Sequence, residues 1–81
     1  MEYKVIMPRL GEEMTEGKVV EWLKQEGDTV KENEALFVVD TEKAALEVES
    51  EVAGVLKRIL VSDTEKEIPV GETIAIIETK D

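Results

Sequence analysis

Short apolar runs separated by turn residues extend along the whole chain. The runs are rich in Val, Ile and Leu, and the residues between them are those that favour tight turns. This spacing is typical of several short β-strands and predicts an all-β sandwich or barrel. The turn residues are Pro8, Gly11, Gly17, Gly27, Asp28, Asn33, Gly54, Pro69 and Gly71.

The pattern predicts eight strands. They cover residues 3–7, 18–24, 29–30, 35–40, 45–49, 55–61, 67–69 and 73–79. In the second strand, Val20 and Trp22 are predicted on one face, with Val19 and Leu23 on the other. In the fifth strand, residues 46–49 alternate aliphatic side chains with Glu, which predicts two aliphatic groups facing inward and two carboxylates facing outward.

The segment 41–47 is ambiguous on local grounds. All of its residues are compatible with a helix, and Ala44, Val48 and Val52 also match one helical face. Both a helix and a strand therefore remain open from this window alone. An internal repeat favours the strand.

Two halves of the sequence align with each other. A shift of 38 residues places Asn33 on Gly71 and Thr41 on Thr79, and a shift of 37 places Gly17 on Gly54. Further aligned pairs are Val30 with Ile68, Glu34 with Glu72, Leu36 with Ile74, Val38 with Ile76, Val39 with Ile77, Trp22 with Ile59 and Leu23 with Leu60.

The simplest geometry for such a repeat is two similar four-strand units that face each other and cover each other's apolar faces. The segment after Asp40 would then cross between the units as a reverse turn. We therefore predict a single domain over residues 1–81, with an all-β fold: a flattened barrel or sandwich of two four-stranded antiparallel sheets with pseudo-twofold symmetry.

Composition excludes several functions. The chain has 20 acidic and 10 basic residues, and its formal charge of −10 argues against nucleic acid and against anionic membrane surfaces. Cys and His are absent, which removes thiolate nucleophiles, imidazole bases, disulfides and ordinary zinc or haem ligands. No EF-hand-like spacing is present, so we expect no metal site, and no apolar run approaches the length of a membrane span. These absences argue against an independent enzyme.

One lysine stands out by its position. Lys43 lies in the segment 40–44 and is predicted at the tip of the turn between the fourth and fifth strands, where Asp or Thr at the turn start suits a type I turn. The same tetrapeptide, Asp-Thr-Glu-Lys, recurs at 63–66, so the tetrapeptide alone is not specific, and a solvated lysine is the default. Only Lys43 falls at the junction of the two halves, whereas Lys66 falls in a loop within one half.

Several motifs occur together and in order. They are residues 7–12 (Met-Pro-Arg-Leu-Gly-Glu), 16–22 (Glu-Gly-Lys-Val-Val-Glu-Trp), 27–30 (Gly-Asp-Thr-Val), 42–44 (Glu-Lys-Ala), 54–56 (Gly-Val-Leu) and 70–71 (Val-Gly). With these motifs the chain resembles the lipoyl domains of 2-oxoacid dehydrogenase complexes, over about residues 3–79. Two positions depart from the family pattern: Glu42 replaces the usual Asp, and Glu65-Lys66 replaces a second Gly-Asp turn.

The resemblance implies a carrier function. Lys43 would be amide-linked to lipoic acid, with Glu42 and Ala44 flanking it for recognition by lipoate ligase. The domain would be monomeric and non-catalytic, and part of a dihydrolipoamide acyltransferase (E2). Its swinging arm would shuttle acyl groups and electrons between a thiamine-dependent decarboxylase (E1), the E2 acyltransferase core and a flavoprotein dehydrogenase (E3). The expected compartment is the cytoplasm, or the mitochondrial matrix in a eukaryote.

The resemblance also suggests how partners would recognise the domain. The loop 10–14 would lie beside the lysine turn, and the acids Glu42, Glu47, Glu49 and Glu51 would surround the base of the arm and meet basic rims of partner enzymes. Two alternatives stay open. One is a biotin carboxyl carrier domain, although that family brackets its lysine with methionines; the other is an acidic β-domain that binds proteins and is never modified. The 2-oxoacid substrate also stays open.

Overall fold

A computed structural model describes residues 1–41 and 44–79, and they form eight strands. The strands are β1 (Glu2–Ile6), β2 (Glu16–Trp22), β3 (Thr29–Val30), β4 (Ala35–Asp40), β5 (Ala45–Glu49), β6 (Gly54–Ile59), β7 (Glu67–Pro69) and β8 (Thr73–Glu78). The predicted bounds of β3, β4, β5 and β7 are confirmed, and those of the other four differ by one or two residues at their ends. Residues 45–49 form a strand and not a helix, as the repeat predicted. Within the described part of the chain, no helix is long and apolar enough to cross a membrane.

The strands form two four-stranded antiparallel sheets. The first has the order β1-β8-β6-β3 and the second β5-β4-β2-β7, so the predicted all-β sandwich with pseudo-twofold symmetry is confirmed. The expectation that each four-stranded unit comes from one half of the sequence is wrong, because each sheet takes two strands from each half. Apolar alternation indicates which face of a strand is buried, but it does not indicate which strand lies beside it. As a result the halves interlock, and the β4–β5 connection joins neighbouring strands of one sheet instead of crossing between units.

β-Bulges interrupt the strand pairing at equivalent positions in the two halves of the repeat. Leu36 is the additional residue where β4 pairs with β5, and Ile74 is the additional residue where β8 pairs with β1. A bulge lets two consecutive side chains face the core, which strict alternation forbids. Leu36 and Phe37 are accordingly both buried, as are Ile74 and Ala75.

A bulge in β2, which has an equivalent in β6, changes which side chains of β2 face the core. Val20 is the additional residue in the β2–β4 ladder, as is Lys57 in the β6–β8 ladder. Because of this bulge Val19 is buried and Trp22 packs against the core, while Val20 between them is 37% exposed. The prediction that Val20 and Trp22 share a face is therefore wrong.

The core lies between the two sheets and is almost wholly aliphatic. Its buried members are Val5, Met7, Val19, Val30, Leu36, Phe37, Val39, Leu56, Ile68, Ile74, Ala75 and Ile77. The repeat extends to backbone conformation, since Asn33 and Gly71 both have a positive φ, at 70° and 95°. Asn and Gly are the residues that adopt this left-handed conformation at least cost.

Candidate functional site

The connection between β4 and β5 is closed by Thr41 and Ala44. Strand pairing ends at Asp40 and Ala45, and three hydrogen bonds continue it. The Thr41 N–H donates to the Ala44 carbonyl at 2.9 Å, the Thr41 hydroxyl donates to the same carbonyl at 2.9 Å, and the Ala44 N–H donates to Thr41 Oγ1 at 3.2 Å. Glu42 and Lys43, on which the site prediction depends, lie outside the described residues. Their roles therefore stay predictions.

A similar set of hydrogen bonds joins Met1 and Thr79. The N–H and the hydroxyl of Thr79 both donate to the Met1 carbonyl, at 2.7 and 3.1 Å, and the N-terminal amine donates to the Thr79 carbonyl at 2.9 Å. Thr79 is the residue that the repeat aligns with Thr41. The pseudo-twofold axis thus relates the β4–β5 connection to the contact between Met1 and Thr79.

The second copy of the tetrapeptide lies in a different kind of connection. At 63–66 the Asp63 carboxylate accepts the Glu65 N–H at 2.9 Å, and the Lys66 N–H donates to the Asp63 carbonyl at 3.4 Å. This loop leads from β6 to β7, which belong to different sheets. Lys66 is therefore exposed on a crossover loop, whereas the segment 41–44 connects two strands that pair with each other.

A groove of about 790 Å³ lies beside Thr41 and Ala44. Its other wall is the segment 10–18, so the predicted position of the loop 10–14 beside the β4–β5 connection is confirmed. Leu46 also lines the groove: it pairs with the buried Val39 and so lies on the inner face of the sheet, as predicted, yet it is 40% exposed. It is exposed because β5 is an edge strand and only its inner neighbour, β4, covers it.

Met14 holds the loop wall of the groove together. The Met14 N–H donates to the Gly11 carbonyl at 3.1 Å, and the Leu10 N–H points at Met14 Sδ at 3.2 Å. The end of the Met14 side chain covers Gly17, where an added Cβ would lie 2.8 Å from Met14 Cε. This packing role of Met14 could not be predicted, because a single methionine forms no sequence pattern.

The groove is strongly acidic. Five carboxylates line it, and among the described lining residues Lys18 is the one cationic side chain. The carboxylates belong to Glu12, Glu13, Glu16, Asp40 and Glu67. Glu67 raises the pKa of Glu16 above its ordinary value, because it can accept a hydrogen bond from the protonated form of Glu16 and repels the ionised form. Among the described residues, no group of three carboxylates is arranged to hold a metal ion.

These acids differ from the ones that the sequence indicated. Glu67 reaches the groove because β7 pairs with β2, and nothing in a three-residue strand identifies its neighbour. Of the predicted acids, Glu49 lies at the far end of β5, about 13 Å from Ala45 at roughly 3.3 Å per residue. Glu51 lies beyond it and accepts a hydrogen bond from the Tyr3 hydroxyl. Neither Glu49 nor Glu51 lines the groove, and their position relative to Lys43 stays a prediction because Lys43 lies outside the described residues.

Comparison with known proteins identifies the family. Residues 3–77 match the Biotin_lipoyl family, described as "Biotin-requiring enzyme". The chain belongs to this family, and within it the chain is a carrier domain and not an enzyme in its own right.

Curated relatives extend this result. The chain is 39% identical over 77 residues to the dihydrolipoyllysine-residue acetyltransferase component of the pyruvate dehydrogenase complex of Rickettsia conorii, a match covering 95% of this chain and 19% of the relative. It is 43% identical over 74 residues, 91% of this chain, to the succinyltransferase component of the 2-oxoglutarate dehydrogenase complex of Staphylococcus saprophyticus. That match covers 17% of the relative, so the chain spans about a fifth or less of these proteins.

Two solved structures share the fold. The lipoyl domain of the 2-oxoglutarate dehydrogenase complex of Azotobacter vinelandii superposes with a TM-score of 0.71 at 26% identity, over 98% of this chain and 96% of that one. Urea carboxylase of Kluyveromyces lactis gives a TM-score of 0.80 at 15% identity, over 96% of this chain and 6% of that one. The second likeness concerns the fold alone.

Proposed function

We propose that the chain is a lipoyl carrier domain with lipoic acid amide-linked to Lys43. The observation that carries the proposal is the agreement, over nearly the whole chain, with a lipoyl domain and with dihydrolipoyllysine-residue acyltransferases. Lys43 is the lysine between Thr41 and Ala44, the residues that close the β4–β5 connection. Attachment joins the Lys43 amine to the activated carboxyl group of lipoate, with loss of a proton and of the activating group.

The architecture suits a carrier. The proposal is supported by the short connection between two paired strands of a rigid sandwich, since surface connections on a rigid scaffold are where groups that must reach a partner's active site are usually carried. When bound, the lipoyl group supplies a dithiolane that accepts acyl groups and electrons. The domain supplies presentation, and its tether raises the local concentration of the arm at each partner.

The proposed partners follow from the relatives' names. We propose that residues 1–81 form one domain of an E2 acyltransferase, which exchanges its cargo with E1, the E2 core and E3 and receives its cofactor from a lipoate ligase. The acidic groove beside Thr41 and Ala44 favours partners with basic rims. The domain itself is proposed to be monomeric and to act in the cytoplasm, or in the mitochondrial matrix of a eukaryote.

Biotin is the competing cofactor, because the same family holds biotin-dependent proteins. Two observations favour lipoate. Lys43 is flanked by Glu42 and Ala44 instead of methionines, and the relative that matches end to end is a lipoyl domain.

Intact mass spectrometry tests the proposal. The domain is co-expressed with a lipoate ligase and, separately, with a biotin ligase. We expect one lipoyl group and no biotin. Lys43→Ala should abolish the gain in mass, and Lys66→Ala, which alters the identical tetrapeptide, should leave it unchanged. Attachment of biotin, attachment at Lys66 or no attachment would overturn the proposal.

A further inference from the structure

We propose that the outer face of the first sheet docks on the outer face of the second sheet of another copy of this domain, so that copies stack head to tail. Two rows of side chains carry the contact, one on each outer face. The pseudo-twofold axis relates the rows, and their charges are opposite. Neither row lines the groove beside the β4–β5 connection, and the contact goes beyond the proposed function.

The basic row crosses three strands of the first sheet. Ile76 in β8 pairs with Lys4 in β1 on one side and with Arg58 in β6 on the other. Directly paired residues of antiparallel strands project from the same face of a sheet. Ala75 and Ile77, which flank Ile76 along the chain, are buried in the core, so the row lies on the outer face. There its two cationic side chains are exposed, and the aliphatic one between them is half-buried.

The acidic row crosses three strands of the second sheet. Val38 in β4 pairs with Glu21 in β2 on one side and with Glu47 in β5 on the other. Phe37 and Val39, the neighbours of Val38 along the chain, are buried, so this row also lies on the outer face of its sheet. Both carboxylates are exposed, and the valine between them is half-buried.

The two rows have the same geometry. The repeat aligns Val38 with Ile76 and Glu21 with Arg58, and the rows cross corresponding strands, β1-β8-β6 and β5-β4-β2. Adjacent strands are about 4.8 Å apart, so the two charges of each row are separated by about 10 Å across the strands. A second copy therefore offers each face a row of equal spacing and opposite charge. Docking forms two ion pairs around an aliphatic contact between Ile76 and Val38.

The whole sheets differ in charge in the same sense. The strands of the first sheet contain three cationic and two acidic residues, whereas those of the second contain one cationic and six acidic residues. Between described residues, ion pairs join Lys24 with Glu34 and Lys57 with Glu2, and neither involves a charge of either row. The four charges of the rows are thus available for a second copy.

The contact is weak and open-ended. The two docking faces differ and lie on opposite sides of the sandwich, so the interface is heterologous and copies add in one direction. The formal charge of −10 repels one copy from another, and exposed ion pairs add little binding energy. A dissociation constant on the order of 1 mM follows. Such a contact leaves the dilute domain monomeric and acts where copies are held close together.

Two charge-reversed variants test the contact. The first combines Lys4→Glu with Arg58→Glu and makes both rows acidic, and the second combines Glu21→Lys with Glu47→Lys and makes both rows basic. Neither variant can stack on itself, but each offers the other a row of opposite charge. Both variants keep a negative net charge, so a general attraction cannot bring them together.

A third variant controls for net charge. Lys31→Glu with Lys66→Glu gives the same net charge as the first variant but leaves both rows intact, because Lys31 and Lys66 are exposed in connections between strands. Dispersed amide spectra check that each variant is folded.

NMR measures association through amide chemical shifts and translational diffusion between about 50 μM and about 2 mM. We expect the unaltered domain to diffuse more slowly at high concentration, with shift changes at Ile76 and Val38. Each charge-reversed variant alone should have a dissociation constant raised more than about tenfold, because like charges then face each other. An equimolar mixture of the two should recover the association, and the control variant should behave as the unaltered domain.

Three outcomes overturn the inference. The first is an unaltered domain whose shifts and diffusion do not depend on concentration, or whose shift changes lie away from the two rows; this measurement needs no variant. The second is a control variant as impaired as Lys4→Glu with Arg58→Glu, since net charge alone then explains the loss. The third is a mixture of the two charge-reversed variants that stays monomeric. None of these outcomes bears on attachment of lipoate to Lys43.

Discussion

Trp22 donates its indole N–H to the backbone carbonyl of Val61 at 2.9 Å. Trp22 ends β2 in one sheet and Val61 follows β6 in the other, so this bond connects the two layers. The indole also packs on Phe37, with ring centroids 5.0 Å apart and planes tilted by 47°. Trp22 is thus a structural residue that ties the sandwich together at one end.

Replacing the indole should weaken the fold without affecting the carrier function. Trp22→Phe removes the bond to the Val61 carbonyl and part of the packing on Phe37, so we expect the free energy of unfolding to fall by about 1–3 kcal/mol. Urea denaturation measures the loss. Tyr3→Phe serves as a control, because it removes a surface bond to Glu51 and should cost about 0.5–1 kcal/mol. Equal losses in the two variants would contradict the role given to Trp22.

Gly54 is required by close approach of the backbone. An added Cβ would collide with the Glu78 carbonyl oxygen and would lie 2.9 Å from Ile77 Cγ2, both in the neighbouring strand β8. The ladder fixes that backbone, so we expect Gly54→Ala to lower the free energy of unfolding by about 2–4 kcal/mol. Thermal and urea unfolding provide the measurement.

Two other glycines provide controls for this prediction. Gly11 has no atom within 4 Å of an added Cβ, so Gly11→Ala should change stability by less than about 0.5 kcal/mol. At Gly17, which the repeat aligns with Gly54, the nearest neighbours are the side-chain atoms Met14 Cε and Val39 Cγ1, and an intermediate loss is expected because they can move. If Gly54→Ala is as stable as Gly11→Ala, the backbone of β8 can move away from the added Cβ and the prediction is wrong.

Features that depend on the local sequence pattern and on the internal repeat could be predicted from the sequence. Turn residues bounded the strands, and the repeat aligned Asn33 with Gly71, which the structure shows to share a positive φ. The bulge at Val20 was not predictable, because period-two alternation contains no signal for an extra residue. The contribution of Glu67 to the groove was missed for another reason, since it depends on pairing between β2 and β7, which are distant in sequence.

The choice of lysine shows the same limit at the candidate site. Lys43 and Lys66 end identical tetrapeptides, so local chemistry could not distinguish them; their places in the repeat and the resemblance to lipoyl domains did. The physical difference lies in the strands on either side. One copy joins two paired strands and the other crosses between sheets, which only the topology reveals.

The pair of carboxylates Glu16 and Glu67 in the groove should lower the stability of the fold as the pH rises. Glu67 raises the pKa of Glu16 in the folded state, so the ionised pair opposes folding above that pKa, and the penalty disappears as the pH falls through it. Glu16→Gln is therefore expected to raise the urea midpoint at neutral pH. The gain should vanish once the pH is below the ordinary carboxyl value of 4.5.

Glu34 provides the opposite case. Its carboxylate accepts the Lys31 N–H at 3.0 Å and pairs with Lys24 at 3.0 Å, and both contacts lower its pKa. A lowered folded-state pKa stabilises the fold above the unfolded value, and that stabilisation is lost as the pH falls through the folded value. Glu34→Gln should accordingly lower the urea midpoint at neutral pH. If both substitutions lower the midpoint, the assignment of the Glu16–Glu67 repulsion is wrong, and if both raise it, the stabilising role given to Glu34 is wrong.

Interlocking of the two halves predicts that neither folds alone. Cleavage between residues 42 and 43 leaves the first fragment with the β2–β4 pairing and the second with the β6–β8 pairing, while the β1–β8, β2–β7, β3–β6 and β4–β5 pairings all join the two fragments. Isolated two-stranded units are at best marginally stable in water, so each fragment should give the narrow amide dispersion of an unfolded chain in an NMR spectrum. An equimolar mixture should recover the dispersed spectrum of the intact domain, because all the pairings between halves can then form. A folded fragment of residues 1–42 by itself would show that the halves are independent units after all.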